Sequence, residues 1–140
     1  MIYALTHLNW VVILVLTVLC FGLGGIWYSP FLFSKAWMAE AKMTPEMWKA
    51  DPGRTRMAMI GTLLLTLIST ITLATLVSAL HVTGALKGAE FGLVVAAGLV
   101  ATRQGTNALF ELKTLKHFLI VSGHDVVLLT IQGAILGVWR

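Results

Sequence analysis

Charge is what this chain has least of. Charged side chains make up 11% of its 140 residues, against roughly 25% in soluble domains. Apolar residues make up 58%, more than a soluble fold of this length could cover without forming a large oligomer. There is one cysteine, Cys20, which excludes an intrachain disulfide framework. The residues ahead of it, Thr17-Val18-Leu19, do not resemble a lipoprotein cleavage site, so a buried structural thiol is expected. No Lys or Arg precedes Lys35. The basic region of a signal peptide is therefore missing, and the first apolar stretch reads as a retained helix. Alternating short segments of the β-barrel kind are absent. So are aromatic-basic repeats of the kind that bind bases, which argues against nucleic acid. His7, His81, His117 and His124 show no metal-ligand spacing. No phosphate-binding glycine loop, nucleophile elbow or catalytic cysteine setting is found, so no metal or cofactor is expected.

What is present is length in apolar runs. A hydrocarbon core of about 30 Å needs about 20 mostly apolar residues in helical form. Stretches 8–28, 57–80, 91–110 and 118–139 meet that length. Each is expected to be one helix, because a helix satisfies its own backbone hydrogen bonds in lipid. The expected fold is all-α: a single integral membrane domain over 1–140, built as a four-transmembrane-helix bundle. Trp10 at the entry and Trp27-Tyr28 at the exit of the first span fit aromatic interface positions. Pro30 marks that exit.

The connection after the first span has a different character. From Phe31 to Lys42, Phe31, Leu32, Phe33, Trp37 and Met38 alternate with Ser34, Lys35, Glu40 and Lys42. This predicts a cytoplasmic interfacial helix within 31–50. Thr44-Pro45 reads as an N-cap followed by proline at the first helical position. Asp51-Pro52-Gly53 reads as a turn. The second span is rich in hydroxyls: Thr62, Thr66, Ser69, Thr70, Thr72, Thr75 and Ser78. These favour helix contact or bonds to the carbonyl four residues back.

Loop charge sets the expected orientation. Lys35, Lys42, Lys49, Arg54, Arg56, Lys113 and Lys116 fall on one side, and Lys87 and Arg140 on the other. The positive-inside rule then places the first group in the cytoplasm and both termini outside the cell membrane. The net charge of +4 reflects this topology.

Polar residues inside the spans are costly and mark partners or cavities. Arg103 lies seven residues from Phe110, and Asp125 seven from Phe118. Both are therefore roughly 10 Å deep at 1.5 Å per residue. Each is eleven residues from Thr114, the centre of the connecting loop, while Gln104 and His124 are each ten from it. In an antiparallel hairpin these residues meet at one level, and a contact between Arg103 and Asp125 is expected. Ser122, Asp125 and Gln132 share one helical stripe, and Arg103 and Asn107 share another. His124 points about 100° away from Asp125 at ~3.6 residues per turn. The candidate ligand site is thus Asp125, Arg103, Gln104, Asn107, His124 and Gln132. Gly133 and Gly137 form a GxxxG pair, and Gly22 permits close contact in the first span. These glycines point to helix packing and to a homo-oligomer.

Several blocks resemble a known family, the bacterial and fungal domain-of-unknown-function family numbered 1761. They are Leu8-Asn9-Trp10, Trp27-Tyr28-Ser29-Pro30, Leu32-Phe33, Lys35-Ala36-Trp37-Met38, Asn107, Phe110-Glu111, Phe118-Leu119-Ile120, Gly123 and Gly133-Ala134-Ile135-Leu136. The resemblance implies a small four-span membrane protein and supplies no activity, substrate or catalytic residue.

Three readings follow. The first is a non-enzymatic oligomeric module that meets membrane lipid and binds a small apolar or amphipathic ligand through the buried polar site. The second is a proton- or cation-coupled transporter working as a dimer, with Asp125 as its ion site. The third is a membrane-embedded isomerase or cyclase using Asp125 or His124 as acid. The lack of a catalytic motif favours the first.

Overall fold

The computed structural model describes residues 6–139, so Arg140 of the charge count lies outside the described residues. The described residues hold no strand. Among the described residues seven α-helices follow in chain order: α1 Trp10–Trp27, α2 Ser34–Ala41, α3 Pro45–Ala50, α4 Pro52–Ala79, α5 Ala85–Val95, α6 Thr102–Phe110 and α7 Leu115–Val138. A π-helical stretch, Ala96–Ala101, joins α5 to α6 without a break. Four long apolar helices result, counting α5 through α6 as one of 26 residues. Each is long enough to cross a hydrocarbon core.

Local chemistry sets the ends. Asn9 caps α1, its side chain accepting from the Val12 N–H. Thr44 and Pro45 begin α3 as expected, although the Thr44 side chain makes no cap bond. Asp51-Pro52-Gly53 is not a free turn. Asp51 caps α4 by accepting from the Arg54 N–H at 2.9 Å, and Pro52 takes the first helical position. Proline without an N–H suits a position whose N–H has no helical partner, so α4 starts five residues before Met57. Thr114 caps α7 through the His117 N–H.

The helices run up and down between two ends. At the terminal end, Leu8 and Asn9 share a recess with Ala74, Val77, Leu136 and Trp139. The Gly84 N–H there donates to the Gly137 carbonyl at 2.8 Å. At the opposite, hairpin end, α2 runs back along the first turns of α7. Its start, beside Phe33, shares a groove with Leu119, Ile120 and Gly123. Near its other end, Glu40 accepts a hydrogen bond from Thr114 and lies 3.7 Å from Lys116.

The apolar core is Val12, Ile13, Leu16 and Cys20 of α1, Leu73, Ala74 and Val77 of α4, Ala96, and Leu128, Leu129 and Leu136 of α7. The closest packing joins α5 to α7, and glycine makes it possible. A methyl group added at Gly88 would lie 2.1 Å from the Gly133 carbonyl oxygen, and one at Gly92 would lie 2.1 Å from that of Leu129. Gly133 and Gly137 meet Gly88 and Gly84 in the same way. The GxxxG pair is therefore used within the chain, and the support it lent to a homo-oligomer is withdrawn. Gly22 does not join this packing: nothing lies within 4 Å of a methyl group placed there.

The hydroxyls of Thr62, Thr66, Thr70, Thr72 and Thr75 each donate to the carbonyl four residues back. This disposes of their donors inside the helix. The first half of α4 is largely exposed, including Met57, Met59, Ile60, Leu64 and Leu65. Only its second half enters the core.

Candidate functional site

The polar groups of α6 and α7 are brought together by a change of helical phase. In an α-helix seven residues make nearly two turns, so Arg103 would share the inward face of fully buried Ala96. The π stretch closes its hydrogen bonds at i→i+5 and takes up extra residues. The inward positions become Ala96, Val100, Gln104 and Ala108, while Leu99, Arg103 and Asn107 are exposed. Arg103 accordingly forms no ion pair with Asp125, and the expected contact belongs to Gln104. The depth match across the hairpin held; the rotation did not.

Four side chains form one connected set. Ser122 Oγ donates to Gln104 Oε1 at 2.7 Å. Gln104 Nε2 donates to Asp125 Oδ2 at 2.5 Å. His124 Nδ1 meets Asp125 Oδ1 at 2.7 Å. An ionised carboxylate only accepts, so opposite such a group Nδ1 carries the proton. The Asp125 side chain is 29% exposed and that of His124 15%. His124 and Asp125 are neighbours in sequence, and their side chains nonetheless converge. The ~100° between them is bridged because imidazole and carboxylate both reach sideways along the helix surface.

Aromatic residues from the end of α1 and the start of α2 cover His124. The Trp27 and Tyr28 rings stand 5.9 and 5.4 Å from the His124 ring. Trp27 also packs on Phe33 at 4.7 Å, and Tyr28 on Trp37 at 5.4 Å. Trp27 Nε1 donates to the Ile120 carbonyl at 3.1 Å, which fixes the indole against α7. Gly123 leaves it room: a methyl group there would sit 3.5 Å from Trp27 Cζ2. Gly24 does the same for His124, whose Nε2 would lie 3.3 Å from an added methyl. That Nε2 is buried and has no hydrogen-bond partner.

Two spaces flank the set. An apolar groove of about 710 Å³ is walled by Trp27, Phe33, Ala36, Leu119, Ile120 and Gly123. A smaller polar cleft of about 190 Å³ opens between α6 and α7 toward the hairpin, where Gln104, Asn107, Glu111, Lys113, His117 and Ser122 line it. Gln132 stands apart from both. It is fully buried and donates through Nε2 to Thr70 Oγ1 at 2.8 Å. It ties α7 to α4 and takes no part in the set around Asp125.

Of the residues expected from the sequence, the structure brings Asp125, Gln104 and His124 together and leaves Arg103, Asn107 and Gln132 outside that set. The sequence places Ser122 on the Asp125 stripe without assigning it a partner. The aromatic cover was legible only as the Trp27-Tyr28-Ser29-Pro30 block. The Gln132–Thr70 bond joins residues 62 positions apart and left no local signal.

Four long apolar helices and polar groups held within their span define a multi-pass membrane protein. A family described as "Protein of unknown function (DUF1761)" matches residues 11–137, and the chain belongs to that family. No curated protein and no solved structure matched it.

Proposed function

We propose that this protein is a non-enzymatic module of the cell membrane that holds a small amphipathic molecule. The observation that carries this reading is the apolar groove lying directly against the aromatic cover of the His124–Asp125 pair. Trp27 belongs to both and separates them, so an apolar body in the groove would pack on the Trp27 ring that covers His124, with Lys116 as the charged group on the groove's own lining. Binding pockets combine an apolar lining with a few placed polar groups in this way. The module works as a homo-oligomer. Arg103, on the exposed face of α6, is a charged group that lipid alone covers poorly, and a second copy would cover it. The excess of Lys and Arg in the two loops on the α2 side supports an orientation with both termini outside and α2 at the cytoplasmic surface.

The test uses a photoreactive long-chain alcohol as probe in nanodiscs. Crosslinks concentrated at Trp27, Phe33 and Leu119, and lost in Gly123→Leu, are the expected result. Crosslinks spread evenly over the exposed half of α4 would overturn the reading.

A second reading, a proton- or cation-coupled transporter, is favoured by one observation. A carboxylate and an imidazole are joined some nine or ten residues inside α7. Proton flux in proteoliposomes that vanishes in Asp125→Asn would select it.

A further inference from the structure

The cleft between α6 and α7 does not belong to the apolar groove, and its lining is of another kind. Glu111 and Lys113 stand at its hairpin end, and His117 and Asn107 line its wall. Gln104 and Ser122 also line it, and both are bonded into the set that holds Asp125. His117 Nδ1 is buried and has no hydrogen-bond partner. Ala108, Phe118 and Val121 complete the lining, and the space of about 190 Å³ is roomy for water, whose share of liquid volume is roughly 30 Å³. Toward the terminal end the surroundings change. Past Asp125, α7 presents Leu128, Leu129 and Leu136 to the core, against Val12, Ile13, Leu16, Leu73 and Val77. The buried polar pair there, Gln132 and Thr70, is bonded through Gln132 Nε2, while Gln132 Oε1 has no hydrogen-bond partner.

We infer that the α6–α7 cleft is a one-sided aqueous vestibule through which the Asp125–His124 pair exchanges protons with the hairpin side of the membrane. The ligand class is the proton, carried by water. Asp125 and His124 do not themselves line the cleft; a hydronium entering at Glu111 and Lys113 reaches Gln104 and Ser122, which do, and its proton passes to the Asp125 carboxylate that Gln104 Nε2 holds, the released water staying in the cleft. The groups facing the pair are Gln104 and Ser122 from α6 and α7, and Tyr28 and Trp27 from the end of α1. Glu111, Lys113 and His117 are the titratable groups along the way. The apolar core beyond closes the opposite side. The inference needs no occupant in the groove and stands or falls apart from it.

Single cysteines placed in a Cys20→Ala background test it, using a membrane-impermeant methanethiosulfonate applied to either face of sealed vesicles. Ser122→Cys and Asn107→Cys should react from the face that labels Lys113→Cys. They should react roughly tenfold or more faster than Thr70→Cys or Leu129→Cys, because the thiolate attacks the reagent's sulfur and expels methanesulfinate, and only a hydrated thiol ionises readily. Ser122→Cys unreactive from both faces, or reactive from the face opposite Lys113→Cys, would overturn the inference. The unmodified chain gives a second measurement that no folding defect can confuse. Water-edited solid-state NMR in lipid should transfer water magnetisation to Ser122 and Gln104 early, and to Thr70 and Leu129 late. Equal build-up at all four would be equally fatal.

Discussion

The two ends of the molecule are held together by opposite means. At the terminal end, α5 and α7 touch backbone to backbone through Gly84, Gly88, Gly92, Gly133 and Gly137, with hardly a side chain between them. At the hairpin end, α6 and α7 stand around polar side chains and a cleft, and α4 swings clear of the core. Hydrophobic driving force between helices is lacking in lipid, so association rests on close packing and on polar bonds. This chain uses the first at one end and the second at the other. The rigid end has no room for a ligand, and the polar end has both room and chemistry.

The largest test of that contrast is Gly92→Leu. Its first carbon would already fall 2.1 Å from the Leu129 carbonyl oxygen, and backbone cannot move aside as a flexible side chain can. The loss in thermal stability in mild detergent should reach or exceed the ~1–3 kcal/mol of ordinary overpacking. Gly22→Ala, with open space around it, should stay within about 0.5 kcal/mol. Equal losses at the two glycines would erase the distinction between seam and surface.

Next in size is Asp125→Ala at the polar end. It removes the acceptor of Gln104 Nε2 and of His124 Nδ1; a stranded buried group costs roughly 1–3 kcal/mol, and that applies in full to His124, while water in the cleft can take up Gln104. Arg103→Leu should cost nothing measurable, because Arg103 is exposed and forms no ion pair among the described residues. A double-mutant cycle should return no coupling between Arg103 and Asp125, and clear coupling between Gln104 and Asp125. The reverse pattern would mean that the π stretch does not set the phase of α6.

A smaller effect belongs to Thr70→Val, which removes the acceptor of the Gln132 bond. Bonds of this kind inside membrane proteins average ~0.6 kcal/mol and reach ~1.7. A comparable effect belongs to Trp27→Phe, which keeps an aromatic ring but loses the bond to the Ile120 carbonyl. About 0.5–1.5 kcal/mol is at stake there, and the partly exposed site allows water to recover some of it. Unfolding curves for the two variants in the same detergent would rank them.

Particular residues show how much could be read in advance. The threonines of α4 bond four residues back as their positions suggested, because that bond is local to one helix. Gln104 and Asp125 meet because depth in a hairpin follows from counting residues away from a loop. The third span is expected from Phe91, whereas its helix begins at Ala85, and Gly84, Gly88 and Gly92 consume the GxxxG pair that points to a homo-oligomer.

By itself the sequence determined the class: all-α, four long apolar helices, a membrane protein of the DUF1761 family. That follows because transfer into lipid is a sum over residues in a segment and hardly depends on which way each one faces. Facing was decided only in the tertiary structure. One π stretch, Ala96–Ala101, turned Arg103 outward and Gln104 inward, and the approach of α5 to α7 chose which glycines met. Rotation accumulates along a helix, so a single extra residue in a turn re-aims everything after it. The energy of that choice lies in contacts between helices, where no local pattern records it.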